Sequence, residues 1–175
     1  MNEPLIGDLS IQWSIRASCA LAYGRLLYRI GSKSDIRKSP GQLECWLWTA
    51  AFLLFVLHVG FAFHHIHQWQ HYDAWQRTAI ETESVFGIRR GDGIWANYLM
   101  LVIWGFDVLR IHHARRSRLA TSQRSDHVVA LFIGFMFVNA TFVFGPDFYR
   151  YLFLPAVAIP LFMCCYGSKT QESSG

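Results

Sequence analysis

Four apolar runs separated by short polar joins set the pattern of this chain. The first, Trp46 to Phe63 in WLWTAAFLLFVLHVGFAF, carries no formal charge. At about 1.5 Å per residue it makes roughly 27 Å of helix, one hydrocarbon thickness. The pattern predicts an all-α integral membrane protein with four transmembrane helices at about 46–64, 93–111, 128–145 and 149–167. No segment alternates as a membrane β-strand does, and a helix satisfies its own backbone in lipid. Trp46 and Trp48 are expected as interfacial anchors of the first span. Asn97 and Asp107 are the polar exceptions of the second and Asn139 that of the third, while Pro155 and Pro160 should kink the fourth.

Ahead of the first span, Ile11, Trp13, Ile15, Leu21, Leu26, Leu27 and Ile30 are interrupted by Arg16, Arg25 and Arg29. The residues between Arg16 and Arg25 are too few to cross a bilayer. An amphipathic interfacial helix at about 9–30 is therefore predicted, on the membrane surface or against the bundle. Glu3 and Asp8 stand where a cleavable signal carries positive charge, which argues against one. The chain thus divides into residues 1–41, the cytoplasmic N-terminal helix with its linker GSKSDIRKSPG; residues 42–167, the four-span domain with an outer helical extension and loop at 67–92; and a disordered tail at 168–175.

Composition agrees with lipid as the solvent: 53% hydrophobic, with only 16% charged residues against about 25% in a soluble domain. The net charge of +4 could signal nucleic acid, but the basic residues cluster beside the apolar runs, where they set topology and meet anionic lipid. Arginines and lysines before the first span and around Arg115, Arg116, Arg118 and Arg124 outnumber Arg77, Arg89, Arg90 and Arg150 on the other side. The expected location is the cell membrane, multi-pass, with both termini cytoplasmic and 67–92 outside. Cys19, Cys45, Cys164 and Cys165 then fall on the reducing side, without a structural disulfide.

The candidate chemistry is histidine. His58, His64, His65, His67 and His71 crowd the end of the first span. If that helix continues outward, His64, His67 and His71 share one face, while His58 and His65 share another. Neutral imidazoles at that spacing suit copper, zinc, iron or haem, with Asp73, Glu81 or Asp92 as possible carboxylate partners. His67 and His71 enclose Gln68 where a zinc protease carries glutamate, so that chemistry is excluded. A haem held by two histidines within one copy is disfavoured, because only the first span carries histidines at membrane depth. The competing reading is an interfacial belt of histidines with Trp69, Tyr72 and Trp75, and a weaker one is pH sensing. His58 is expected to pair with Asn97 inside the bundle, Asp107 with Arg110 or an N-terminal arginine, and Asn139 across helices.

Two function classes follow. The first is a small non-catalytic membrane subunit or scaffold contacting the bilayer and a protein partner or a second copy. The second is a metal- or haem-binding redox or metal-handling protein built on His64, His67 and His71.

Overall fold

In the computed structural model, the described residues are 3–31, 39–140 and, beyond these, only 151, 155, 158–160 and 162–163. Most of them are helical, with no strand among them. The helices are α1 (Glu3–Gly31), α2 (Gln42–His65), α3 (His71–Phe86), α4 (Gly93–Arg116) and α5 (Gln123–Val138). By length and composition, α2 and α4 can each cross a membrane. The expected fourth span, with its proline kinks, lies outside the described residues apart from those scattered positions, as does the tail. The third span is described only to residue 140.

α1 lies antiparallel along α2, and their meeting points recur every seven residues. Arg25 reaches Glu44 at 2.9 Å, the Ser18 hydroxyl donates to the Ala51 carbonyl at 2.7 Å, and His58 Nδ1 donates to the Ile11 carbonyl at 3.0 Å. Seven residues beyond His58, His65 lies over Gly7, where a Cβ would come within 2.9 Å of the imidazole. A seven-residue repeat keeps one stripe of each helix turned to the other. Small residues on that stripe, Gly7, Ser18 and Ala51, let the backbones approach. Of the two placements expected for the N-terminal helix, on the membrane surface or against the bundle, it takes the second and runs the length of α2, beginning level with His65 and ending near Gly41, which faces Tyr28. The reason is that its polar residues Ser14, Ser18 and Arg25 all fall on the buried stripe.

Trp104 of α4 fills the centre of the core. It is fully buried and meets Trp48 at 4.8 Å, Phe55 at 5.6 Å and Phe52 at 6.0 Å on α2, with Phe137 of α5 edge-on at 5.8 Å. Each such aromatic pair adds about 0.5–1.5 kcal/mol beyond its area. Cys45, Ala51, Met100, Ile111, Ile133 and Met136 close the core around it.

α2 does not continue into α3. Gln68 and Trp69 take left-handed backbone angles (φ 46° and 61°), and the chain turns between residues 66 and 70. Local bonds offset that strain: the Trp69 amide donates to the Phe63 carbonyl at 2.9 Å, and that of Gln70 to the His67 carbonyl at 2.7 Å. At the far end of α3, Gly87 (φ 71°) supplies the left-handed cap, its amide reaching the Glu83 carbonyl at 2.8 Å. Gly91 then passes so close to α3 that a Cβ would collide with the Trp75 carbonyl oxygen and stand 2.6 Å from its indole.

That crowding is testable. Gly91→Ala should destabilise the fold by about 1–3 kcal/mol, because the nearest obstacle is backbone. Gly60→Ala, where nothing lies within 4 Å, should be neutral or mildly stabilising. Thermal melting of both variants in detergent, followed by circular dichroism, checks the contrast.

Candidate functional site

The histidines at the α2–α3 junction do not gather. Because the helix breaks after His65, the continuous wheel that put His64, His67 and His71 on one face does not exist. Each engages a different partner. Trp69 Nε1 donates to His64 Nδ1 at 3.3 Å, His67 Nδ1 donates to Asp73 at 2.8 Å, and His71 Nδ1 is hydrogen-bonded to the Tyr98 hydroxyl at 2.9 Å. His64 and His65 stand edge to face, 4.7 Å apart. Among the described residues, no group of three or more His, Cys, Asp or Glu side chains is placed to hold a metal ion.

His67 is the most closely held of the set. Asp73 fixes its tautomer, Phe63 packs edge-on at 5.5 Å, and Arg77 holds the other side of the carboxylate at 3.0 Å. The hydrogen bond from His67, and after it that from Arg77, keeps the Asp73 carboxyl below the usual carboxylate range. With Nδ1 as the donor, Nε2 is the nitrogen left to act as a base or ligand, on a side chain only 15% exposed.

His58 and Asn97 separate. The Nδ1 hydrogen bond of His58 goes to the Ile11 carbonyl of α1, and Asn97 is exposed on α4. The pairing expected across α2 and α4 is displaced because α1, not α4, covers the His58 stripe. Asn139 is half-buried at the end of α5, beside residues outside the described set.

The densest polar constellation lies at the opposite end of the bundle and closes on itself. Arg25 and Arg29 of α1 both reach Glu44 of α2, at 2.9 and 3.4 Å. Arg29 also reaches Asp126 of α5 at 3.3 Å. Arg110 of α4 bridges Asp126 and Asp107, 2.5 Å from each. Asp107 accepts from Trp48 Nε1 at 2.8 Å, and the Trp48 ring carries the Arg25 guanidinium 4.2 Å above its centre. The circuit therefore passes through α1, α2, α4 and α5 and returns to Arg25.

Three cations and three anions balance in this ring. The side chains of Glu44, Asp107 and Asp126 are 5%, 3% and 9% exposed. Among the described residues, Arg25 Nε and Arg110 Nη1 are buried without a hydrogen-bond partner, so both arginines depend on charge, and Arg25 also on the Trp48 face, for the remainder. Of this set the sequence alone points to Asp107 with Arg110 or an N-terminal arginine, and the geometry gives it Arg110. Arg25, Arg29, Glu44, Trp48 and Asp126 were missed as a unit, although Arg25 and Arg29 stand four apart on one helix face. Comparison with protein-family models, curated proteins and solved structures finds no match for this chain.

The ring predicts an acid limit. Burial pushes the Asp126 carboxyl up, but hydrogen bonds from Arg110 and Thr121 and the charges of Arg110 and Arg29 outweigh it, leaving the carboxyl below its usual range. A carboxyl lowered on folding stabilises above its unfolded value near 3.9 and loses that contribution as pH falls through the folded value. Stability should therefore drop below about pH 4, and Asp126→Asn should flatten the fall while lowering stability at pH 7. Acid melts of the two proteins check this. Glu44→Gln, which leaves the buried Arg25 without its carboxylate, should cost about 3–5 kcal/mol, read from the same melts at neutral pH.

Proposed function

We propose that this chain is an integral membrane protein working as a small non-catalytic subunit or scaffold, with the four spans expected from its apolar runs and α1 as a further crossing helix along α2. The observation that carries the membrane reading is an inverted polarity. Leu53, Val56 and Leu57 on α2, Leu99, Val102, Phe106 and Leu109 on α4, and Leu131 and Phe135 on α5 are exposed, whereas Glu44, Asp107 and Arg25 are buried. In water that exposed surface would be costly; in lipid it is solvated, and the ionised groups are the ones that need shelter. Trp46 near one end and Trp69 and Trp95 near the other, all exposed, supply interfacial anchors about a hydrocarbon thickness apart along α2.

The end carrying the charge ring, with Arg115, Arg116, Arg118 and Arg124, is then cytoplasmic, and α3 with Arg77, Arg89 and Arg90 is outside. Because α1 begins level with His65, this reading moves the N-terminal end of α1 to the outer face and revises the cytoplasmic N-terminus expected from charge counting. The scaffold role is supported by the commitment of each carboxylate in the buried ring to an arginine, which leaves them structural work. The metal-binding alternative has no converging ligand set among the described residues to favour it.

Single cysteines test the topology in a cysteine-free variant. Ser84→Cys on α3 should react with an impermeant maleimide on intact cells, and Ser117→Cys in the α4–α5 turn only after permeabilisation. Labelling of both from the same side, or release of the chain by carbonate washing, would count against the reading.

A further inference from the structure

We propose that the arginine surface at the α4–α5 turn binds the phosphate of anionic phospholipid headgroups in the membrane; this rests on the membrane reading above. Its basis is how the charges at that end are divided. The carboxylates Glu44, Asp107 and Asp126 all turn inward and are committed to Arg25, Arg29 and Arg110. Their negative charge is used up inside the bundle. Outside that ring, Arg115, Arg116, Arg118 and Arg124 have no carboxylate of a described residue within ion-pairing distance, and Arg115 reaches only the amide oxygen of Gln42, at 3.3 Å. Arg116, Arg118 and Arg124 are exposed, with His113 and His127 exposed on the same stretch. The result is a positive surface over a neutralised interior.

Local backbone geometry gathers these side chains. Arg118 takes the left-handed conformation (φ 52°) just past α4, and the Leu119 amide returns to the Ala114 carbonyl at 2.9 Å. This six-to-one bond is the helix-ending motif that usually takes glycine at the left-handed position. An arginine there bends the chain sharply, so that Arg115 and Arg116 on the last turn of α4 and Arg124 on the first turn of α5 flank the same end. Leu119 and Val128 are exposed beside them, at 58% and 60%, and Leu109 and Leu131 are exposed further along α4 and α5. Guanidinium heads bordered by exposed apolar side chains match the boundary between headgroups and acyl chains.

That border also separates lipid from nucleic acid as the occupant. A duplex would need a polar surround for the arginines, whereas here apolar surface begins within a few residues on both helices. Arginine presents a planar fork suited to phosphate oxygens. Each basic residue at an anionic leaflet contributes about fivefold in association.

The test uses the full-length protein in a neutral detergent, melted with added dioleoyl phosphatidylglycerol, dioleoyl phosphatidylcholine, inorganic phosphate or a short DNA duplex. Phosphatidylglycerol should raise the melting temperature at low salt and phosphatidylcholine should not. Added salt should weaken the effect. In the triple variant R116A/R118A/R124A the half-saturating phosphatidylglycerol concentration should rise on the order of a hundredfold, while R116K/R118K/R124K stays within about fivefold of the natural sequence. An equal response to both lipids, an unchanged response in the alanine variant, or the same shift with phosphate or duplex would each overturn the proposal. A chain that cells yield without detergent overturns the membrane reading and this one with it. A chain that resists carbonate washing yet ignores phosphatidylglycerol overturns this proposal alone.

Discussion

A charge that enters an apolar bundle must be answered there, and in this protein Trp48 is where the answers meet. Its indole nitrogen serves Asp107, its ring face carries Arg25, and its ring packs at a tilt on the central Trp104. From Asp107 the chain of partners runs through Arg110, Asp126, Arg29 and Glu44 back to Arg25. Four helices contribute, so none of them can rotate or slide without breaking an ion pair. Buried ion pairs rarely add net stability over apolar packing of the same volume, but losing one partner is expensive. The ring therefore acts chiefly as a register device. It selects one arrangement of helices whose apolar surfaces alone would tolerate several.

The seven-residue repeat between α1 and α2 extends that constraint along the bundle. Ser18 against Ala51 and His58 against Ile11 are weak bonds, each about 1 kcal/mol or less among packed helices. Their spacing matters more than their strength, since each layer repeats the phase set by Arg25 and Glu44. At the far end the hydrogen bonds give way to a close approach of His65 over Gly7, and the chain leaves α2 through the strained turn at Gln68 and Trp69.

Much of this was legible in the chain, and the failures have a common cause. The helical class and the apolar α2 and α4 follow from long hydrophobic runs, which depend only on local composition. The common stripe of His58 and His65 was readable because both lie inside a continuous helix. The stripe of His64, His67 and His71 was not real, because it assumed helix through Gln68 and Trp69, residues with no glycine or proline to announce a turn. The His58–Asn97 pairing failed for a different reason. It assumed that the first two apolar runs face each other at that depth, whereas the arginine-bearing α1 takes the seam. Arginines that looked like an obstacle to burial are what dock α1, and only the distant carboxylates Glu44 and Asp126 make that possible. Such long-range compensation leaves no local pattern.

The most direct test of the ring is a double-mutant cycle on the two carboxylates that share Arg110. Asp107→Asn, Asp126→Asn and the double variant would be melted in detergent at neutral pH, with asparagine keeping the hydrogen bond to Trp48. Each single change leaves Arg110 one carboxylate, and the double change removes both. The double variant should therefore lose more than the sum of the singles, by about 0.5–3 kcal/mol. Losses that add within about 0.3 kcal/mol would mean that the two acids act independently and that the ring does not hold the helices as a unit.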